Sequence, residues 1–477
     1  MRGGPSPAHP STGGGIAYGS LAFAALLAAL AATIPGAGLA LAVVLLGLLL
    51  VASRTLASQQ ALGVAAMQNG LVLAAVSAGL SHGRLALVVL PFLPALALGA
   101  LWLGSDRART ALLRAPRPAA WLDAGLCSLA LLLACALPWE LGARGAFWRI
   151  DALAAHAILL LTALAAAGSW ARRDTAPVWG SRLAVLAGTT LSVASTAPLQ
   201  SMLGMTLATA GAVAAALPAR VEAWRRVCLG CTGLGLALFG TIGLLGAPVG
   251  LLGAQPALPA TACAMLGYGA LAVLAPELTI ASVILIVRMR GAATGDLLLA
   301  LGLAALLVAA LGLAMQGRQR GTLLLYGLTQ GRQRRTLPLL GLGQGGAAVF
   351  AFGLGTEAGN LAGLLQLSFL ALTQCTLLLA RRDGMDRLAA LAGLGGVPPF
   401  GLFPSLALIL AATAARTPWL LLPLGAGLAA IAWAVLLQLP AERRLLASPA
   451  WVPLALLLIA GFAMPDPMLA WFRLAAR

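Results

Sequence analysis

Apolar runs of near-membrane length follow one another along almost the whole chain, parted by short polar or charged turns. The first four cover residues 16–34, 37–53, 60–80 and 85–104. The others cover 120–138, 151–169, 181–198, 200–217, 226–246, 259–275, 277–289, 296–315, 337–356, 360–380, 387–411, 417–438 and 449–464. A helix needs about 20 residues to cross a bilayer, and lipid offers its backbone no partner outside the helix. The pattern therefore predicts an all-α, polytopic transmembrane helix bundle of about sixteen or seventeen spans. Two breaks predict discontinuous helices. Pro276-Glu277 interrupts the stretch 259–289, which could be one long crossing but reads better as two passes. The diproline Pro398-Pro399 stands among glycines between Gly393 and Pro404. Carbonyls freed at membrane depth need protein or a cavity beside them, so such breaks mark either transport paths or packing kinks.

Polar residues inside these runs are rare, which makes one helix conspicuous. Residues 363–380 read GLLQLSFLALTQCTLLLA, with Gln366, Leu370 and Gln374 spaced i, i+4, i+8 on one helix face. A glutamine amide finds no hydrogen-bond partner in lipid, so this stripe is expected to face protein or a water-filled cavity.

Composition narrows the class further. With 61% hydrophobic and 9% charged residues the chain is not a soluble globular domain. Its net charge of +17 rests on 30 basic residues, all of them Arg. They cluster between runs: Arg107/Arg109/Arg114/Arg117, Arg172/Arg173, Arg220/Arg225/Arg226, Arg332/Arg334/Arg335, Arg381/Arg382/Arg387 and Arg443/Arg444. With a cytoplasmic amino terminus, alternation puts nearly all of these on the cytoplasmic side and leaves Arg144, Arg149, Arg288 and Arg290 outside. Such scattered clusters exclude a nucleic-acid surface, which needs one contiguous basic face. The six cysteines lie within apolar runs, and Cys228-Leu-Gly-Cys231 has no histidine or second cysteine pair near it, so packing thiols are expected. Phosphate loops, Ser/His/Asp arrangements, metal-ligand clusters and dinucleotide fingerprints are missing, so neither a catalytic site nor a cofactor is expected in this chain. Residues 1–15, MRGGPSPAHPSTGGG, read as a flexible polar tail rather than a cleavable signal.

The stretch 104–118, GSDRARTALLRAPRP, is charged and proline-bearing, and marks a domain junction. It separates a four-span module, 16–115, from a larger one, 116–477. In the larger module, Leu391 to Leu410 reads LAGLGGVPPFGLFPSLALIL. This resembles the diproline segment, GLPPFGLFxSE, of the antiporter-like membrane subunits of respiratory complex I, Mrp antiporters and energy-converting hydrogenases. It looks most like the F subunit of hydrogenase-4. Val221 to Leu245 is similar to the EAAWKY helix of that protein, Phe147 to Ala154 to its VDALS segment, and Gly267 to Pro276 to its GYGTKAGLAP. In the small module, Met67-Gln68-Asn69-Gly70-Leu71 stands where the E subunit of hydrogenase-4 has MENGI, so the chain resembles an E–F fusion.

The resemblance implies a proton pathway whose charged groups are replaced here. The lysine of GYGTK becomes Leu271, and the acid and histidine of SSIEHMG give way to the stretch around Gln344. The two histidines and the lysine of LLHxLNHALAK become Gln366, Leu370 and Gln374. The glutamate after the diproline is Leu406, the one on the helix before EAAWKY falls near Met205 or Thr206, and the one of MENG is Gln68. Glutamine keeps hydrogen bonding but cannot take up and release a proton near neutrality. By this alignment Gln366 and Gln374 should point into the bundle, toward Gln344. The expected role is a structural or non-pumping integral membrane subunit of a hydrogenase- or NADH-dehydrogenase-like complex, with redox chemistry on soluble partner subunits. The alternative is a stand-alone ion or small-solute transporter with a neutral polar path. Multi-pass location in a cell inner membrane, with lipid around it, follows from either; other membrane and soluble subunits are the partners implied by the first.

A few ionisable residues remain near the membrane in ways worth following. Glu222 with Arg225 and Arg226 reads as an interfacial pair at a helix start, and Asp151 as a cap. Glu277, after Pro276, would be functional if it faced a cavity, but its place beside a turn favours solvent exposure. His156 reads as a satisfied core histidine.

Overall fold

The computed structural model describes residues 38–53, 57–77, 117–137, 148–171, 180–216, 220–246, 257–290, 295–317, 336–380, 385–436, 448–462 and 464–476. The tail 1–15, the runs 16–34 and 85–104, and most of the junction 104–118 lie outside these residues. The described residues are overwhelmingly helical, with no strand among them beyond one isolated bridge between Trp148 and Ser195. The chain is an all-α, multi-pass helical membrane bundle, divided into two compact units at Val88 and Val89.

The first unit contains α1 (Gly38–Ser53) and α2 (Ala57–Ser77), packed as a hairpin. Met67 and Leu71 of α2 are fully buried, while Gln68 between them is half-buried.

The second unit begins with α3 (Arg117–Ala134), α4 (Ala152–Ala171), α5 (Ser181–Ala194), α6 (Pro198–Ala214) and α7 (Arg220–Gly246). Then come α8 (Ala257–Leu271), α9 (Pro276–Arg288), α10 (Gly295–Gly317), α11 (Thr336–Gly353) and α12 (Glu357–Leu379). It closes with α13 (Met385–Leu394), α14 (Leu402–Arg416), α15 (Leu421–Leu436), α16 (Trp451–Phe462) and α17 (Asp466–Ala476). Among the described residues four helical stretches are long and apolar enough to cross a membrane alone, including α4, α12 and most of α10. The pair α16–α17 passes that test only together, bent by 86°. Most other helices are shorter; α5, α8 and α9 have 14, 15 and 13 residues. At 1.5 Å per residue these are about 20 Å long, less than the hydrocarbon thickness, and they lie within a bundle that shields their ends.

Local chemistry sets the breaks. Ala275 is extended and Pro276 occupies the first turn of α9, where its missing N–H costs nothing. Gly355 adopts a left-handed conformation (φ 64°) after α11, and the Thr356 hydroxyl then accepts a hydrogen bond from the Gly359 N–H to start α12. Small residues let neighbouring helices touch. A Cβ placed on Gly188 would lie 2.4 Å from the Ala208 nitrogen, so α5 and α6 meet backbone to backbone.

Two ends of the bundle can be told apart. Asp151, Ser195, Pro198, Thr261 and Arg288 line one cavity of about 780 Å³. Arg182, Ala212, Arg226, Pro276, Pro338 and Gln374 line another of about 170 Å³. Because α5 and α6 run between these two groups, the cavities mark opposite ends. The junction of α8 and α9 lies at the second end, while Thr261 of α8 and Arg288 of α9 lie at the first. The two helices are therefore antiparallel. The other break is of a different kind: α13 leads from the Gln374 end into the bundle, and α14 carries on to Arg416 at the opposite end.

Candidate functional site

The break between α13 and α14 leaves the Leu394 carbonyl without a helical partner, and α11 supplies one. The Gln344 side-chain N–H donates to the Leu394 carbonyl at 2.8 Å. Gln344 Oε1 accepts from Gln366 Nε2 at 2.6 Å, and Gln366 Oε1 accepts from the Ser405 hydroxyl at 2.5 Å. All three side chains are buried, and the chain of bonds joins the two halves of the broken helix. A carbonyl can only accept, so the Leu394 contact fixes the orientation of the Gln344 amide, and that in turn fixes Gln366. Every link is neutral.

Gln374 stands apart from this chain. It is buried at the end of the stripe, its nitrogen lies over Gly341, and its Oε1 has no partner among the described residues. The amide lines the 170 Å³ cavity together with Arg182, Thr279 and the residues of the α8–α9 junction. That space is large enough for several waters, which would satisfy the oxygen.

Glu277 is not at an exposed turn. It is 0% exposed, and its Oε1 accepts from Arg182 Nη1 at 2.5 Å, with Arg182 itself 8% exposed. The expectation of solvent exposure is corrected by the partner: α5 presents a guanidinium to the first turn of α9, so the carboxylate is drawn into the bundle. The second half of that geometry lies on α4, where Gly168 leaves room for the arginine head. A Cβ there would lie 2.8 Å from Arg182 Nη1. Asp123 on α3 joins the group. It is buried and accepts from the Gly180 N–H at 3.3 Å, two residues before Arg182. Cys127, one turn further along α3, is buried and accepts from the Ser169 hydroxyl of α4 at 3.4 Å. Asp123 Oδ1, Arg182 Nε and Glu277 Oε2 have no hydrogen-bond partner among the described residues. The positions aligned with the family motifs are neutral, but a buried acid–base pair joins Arg182 to Glu277, the residue directly after the Gly267–Pro276 segment.

The remaining expected positions pack rather than react. Leu271 and Leu370 are fully buried, and Leu406 lies against Gly396 at the diproline break. Thr206 donates to the Met202 carbonyl of its own helix. The side chains of Glu222 and Arg225 lie outside the described residues, while Arg226 Nη1 donates to the Ala212 carbonyl at 3.3 Å. Asp151 accepts from the Ala154 N–H at 2.7 Å as a cap, and also from Arg149 and from Arg288 at the end of α9. His156 Nδ1 accepts from Trp471 Nε1, so its Nε2 carries the proton and donates to Ser368 Oγ at 2.8 Å. Cys228 and Cys231 are buried, and no metal-ligand cluster occurs among the described residues.

Sequence reasoning missed Arg182, Asp123 and Ser405. Arg182 sits at the second residue of α5 and reads as one more interfacial arginine. Its signal was the glycine at 168 and the acid at 277, and neither is near it in sequence.

No protein-family model and no curated protein matches the sequence significantly. Solved structures do. A chain of the Mrp complex from Dietzia sp. DQ12-45-1b superposes with a TM-score of 0.59 at 14% identity, covering 82% of this chain and 96% of that one. A chain of the membrane-bound sulfane sulfur reductase, an archaeal respiratory membrane complex, gives 0.57 at 16% identity, with 83% and 97% covered. A chain of respiratory complex I from Thermus thermophilus gives 0.53 at 19% identity, with 82% and 98% covered. At these identities the likeness establishes the fold, and it is the fold of chains from the Mrp complex, the sulfane sulfur reductase and complex I.

Proposed function

We propose that the chain is an antiporter-like integral membrane subunit of a multi-subunit respiratory- or hydrogenase-type complex, and that it does not pump protons by the family mechanism. The neutral Gln344–Gln366–Ser405 chain carries this reading. It occupies the broken-helix region, where a proton path needs groups that change charge, and none of its members does. The buried Arg182–Glu277 pair does not supply such a path, because a guanidinium does not exchange its proton in the physiological range. The fold relatives come from multi-subunit membrane complexes, which supports other subunits as partners and electron chemistry outside this chain. The sequence resemblances support a hydrogenase-4 E–F fusion with a module boundary near residue 115, in a cell inner membrane.

The full chain reconstituted in liposomes under an imposed pH gradient tests this. No proton or sodium exchange above empty vesicles is expected. Robust exchange abolished by Gln374→Leu would favour the second reading, a transporter with a neutral polar path. That reading rests on the cavity joining Gln374 to Arg182.

A further inference from the structure

Arg290, two residues beyond α9, and Arg416, the last residue of α14, are far apart in sequence and meet over one glycine. A Cβ on Gly355 would lie 2.8 Å from Arg416 Nη1 and 3.2 Å from Arg290 Nη2, so the two guanidinium nitrogens are at most about 6 Å apart. Like charges at that separation repel unless something lies between or beside them. Arg290 is steadied by donating to Asn360 Oδ1 at 2.8 Å, but no carboxylate among the described residues pairs with either arginine. Asp296, six residues after Arg290, and Glu357, two residues after Gly355, are exposed and bridge to neither. Both arginines line a cavity of about 500 Å³, floored by Gly353 and Gly355 and walled by Asn360 and Ala476.

Depth is set by the next turn of the chain. Trp419, three residues after Arg416, is 73% exposed on the surface of the bundle. Exposed tryptophan on a membrane protein belongs at the headgroup level. The arginine pair thus opens at the depth of lipid phosphates, on the end of the bundle that holds Asp151 and Arg288. Guanidinium forks match phosphate oxygens bidentately, and two of them can surround a tetrahedral anion from two sides.

We infer that Arg290 and Arg416 form a binding site for a phosphate group, that of an anionic phospholipid seated at the membrane surface of the bundle. The space beyond the two guanidiniums accommodates a glycerol backbone as well as the headgroup.

The test uses the full chain, stripped of lipid in detergent and equilibrated with equimolar phosphatidylglycerol and phosphatidylcholine, with bound lipid read by native mass spectrometry. Wild type should retain phosphatidylglycerol over phosphatidylcholine. Arg290→Gln and Arg416→Gln should each cut that retention roughly tenfold, because each removes charge-assisted bonds to the phosphate. Gly355→Ala keeps both charges but fills the space between them, and should lose retention to a similar degree. Arg149→Gln, an equal charge change at the same end, should not. A parallel dialysis against inorganic phosphate separates the sources: phosphate bound by wild type and lost in the same three variants, with no lipid preference, supports a soluble phosphate as the occupant. Equal binding of lipid and phosphate by wild type, Arg290→Gln and Arg416→Gln overturns the site, and so does equal loss in Arg149→Gln.

Discussion

Arg182 of α5 binds Glu277 of α9, and 11 residues further along each helix Arg288 of α9 binds the Val193 carbonyl of α5. The two helices are parallel and tied at both ends by arginines. The first tie is wholly buried, and the second also reaches Asp151 at the start of α4. Since α8 and α9 are antiparallel, this clamp fixes where the α8–α9 junction sits, and with it the cavity beside Gln374.

Removing one partner of the buried tie leaves an uncompensated charge. Arg182→Met or Glu277→Leu should each destabilise the solubilised protein by about 3–5 kcal/mol, and the double apolar variant should recover much of the loss. Thermal unfolding in detergent reads both. Similar stability of the single and double variants would argue that the pair is not coupled.

The glutamines should separate by their partners. Gln366→Leu leaves Gln344 Oε1 without its donor and should cost about 1–3 kcal/mol. Gln374→Leu removes an amide whose oxygen has no partner among the described residues and should cost less. Gln374→Lys should be worst, since Arg182 and Arg226 line the same cavity. The order of melting temperatures among the three checks this.

Asp151 lies before α4, and its stability contribution depends on pH. Burial pushes its carboxyl up, but the Arg149 hydrogen bond, the Ala154 N–H and Arg288 outweigh that and hold it below the usual carboxylate value. A lowered folded-state value means stability present above the unfolded value, about 3.9, and lost as pH falls through the folded one. Wild type should exceed Asp151→Asn by a constant margin above about pH 5, and the margin should shrink below about pH 4. A margin that grows on acidification would reverse the sign of the argument.

Thr196 and Ala215 flank α6 and are about 28 Å apart along a helix axis, close to a membrane's thickness. Single cysteines at these positions, in a background lacking the exposed Cys135, should label from opposite sides of the membrane. Labelling from one side would deny that α6 crosses.

The class of this protein is written in its one-dimensional pattern, because lipid demands self-satisfied helices and a minimum apolar length. A run such as 363–380 is recognisable without its neighbours. Periodicity likewise puts Gln366 and Gln374 on one face, since the spacing of a helix is local. What that face meets is not local. Gln366 finds Gln344, the Leu394 carbonyl needs Gln344 only because α13 ends there, and Gln374 is left on a cavity. Glu277 reads as a solvated acid beside a proline until α5 brings a guanidinium from 95 residues away and Gly168 makes room for its head. The Arg290–Arg416 pair depends in the same way on a glycine that neither arginine adjoins in sequence. The cost of a buried charge depends on which partner lies within a few ångströms, and only the packing of distant helices decides that.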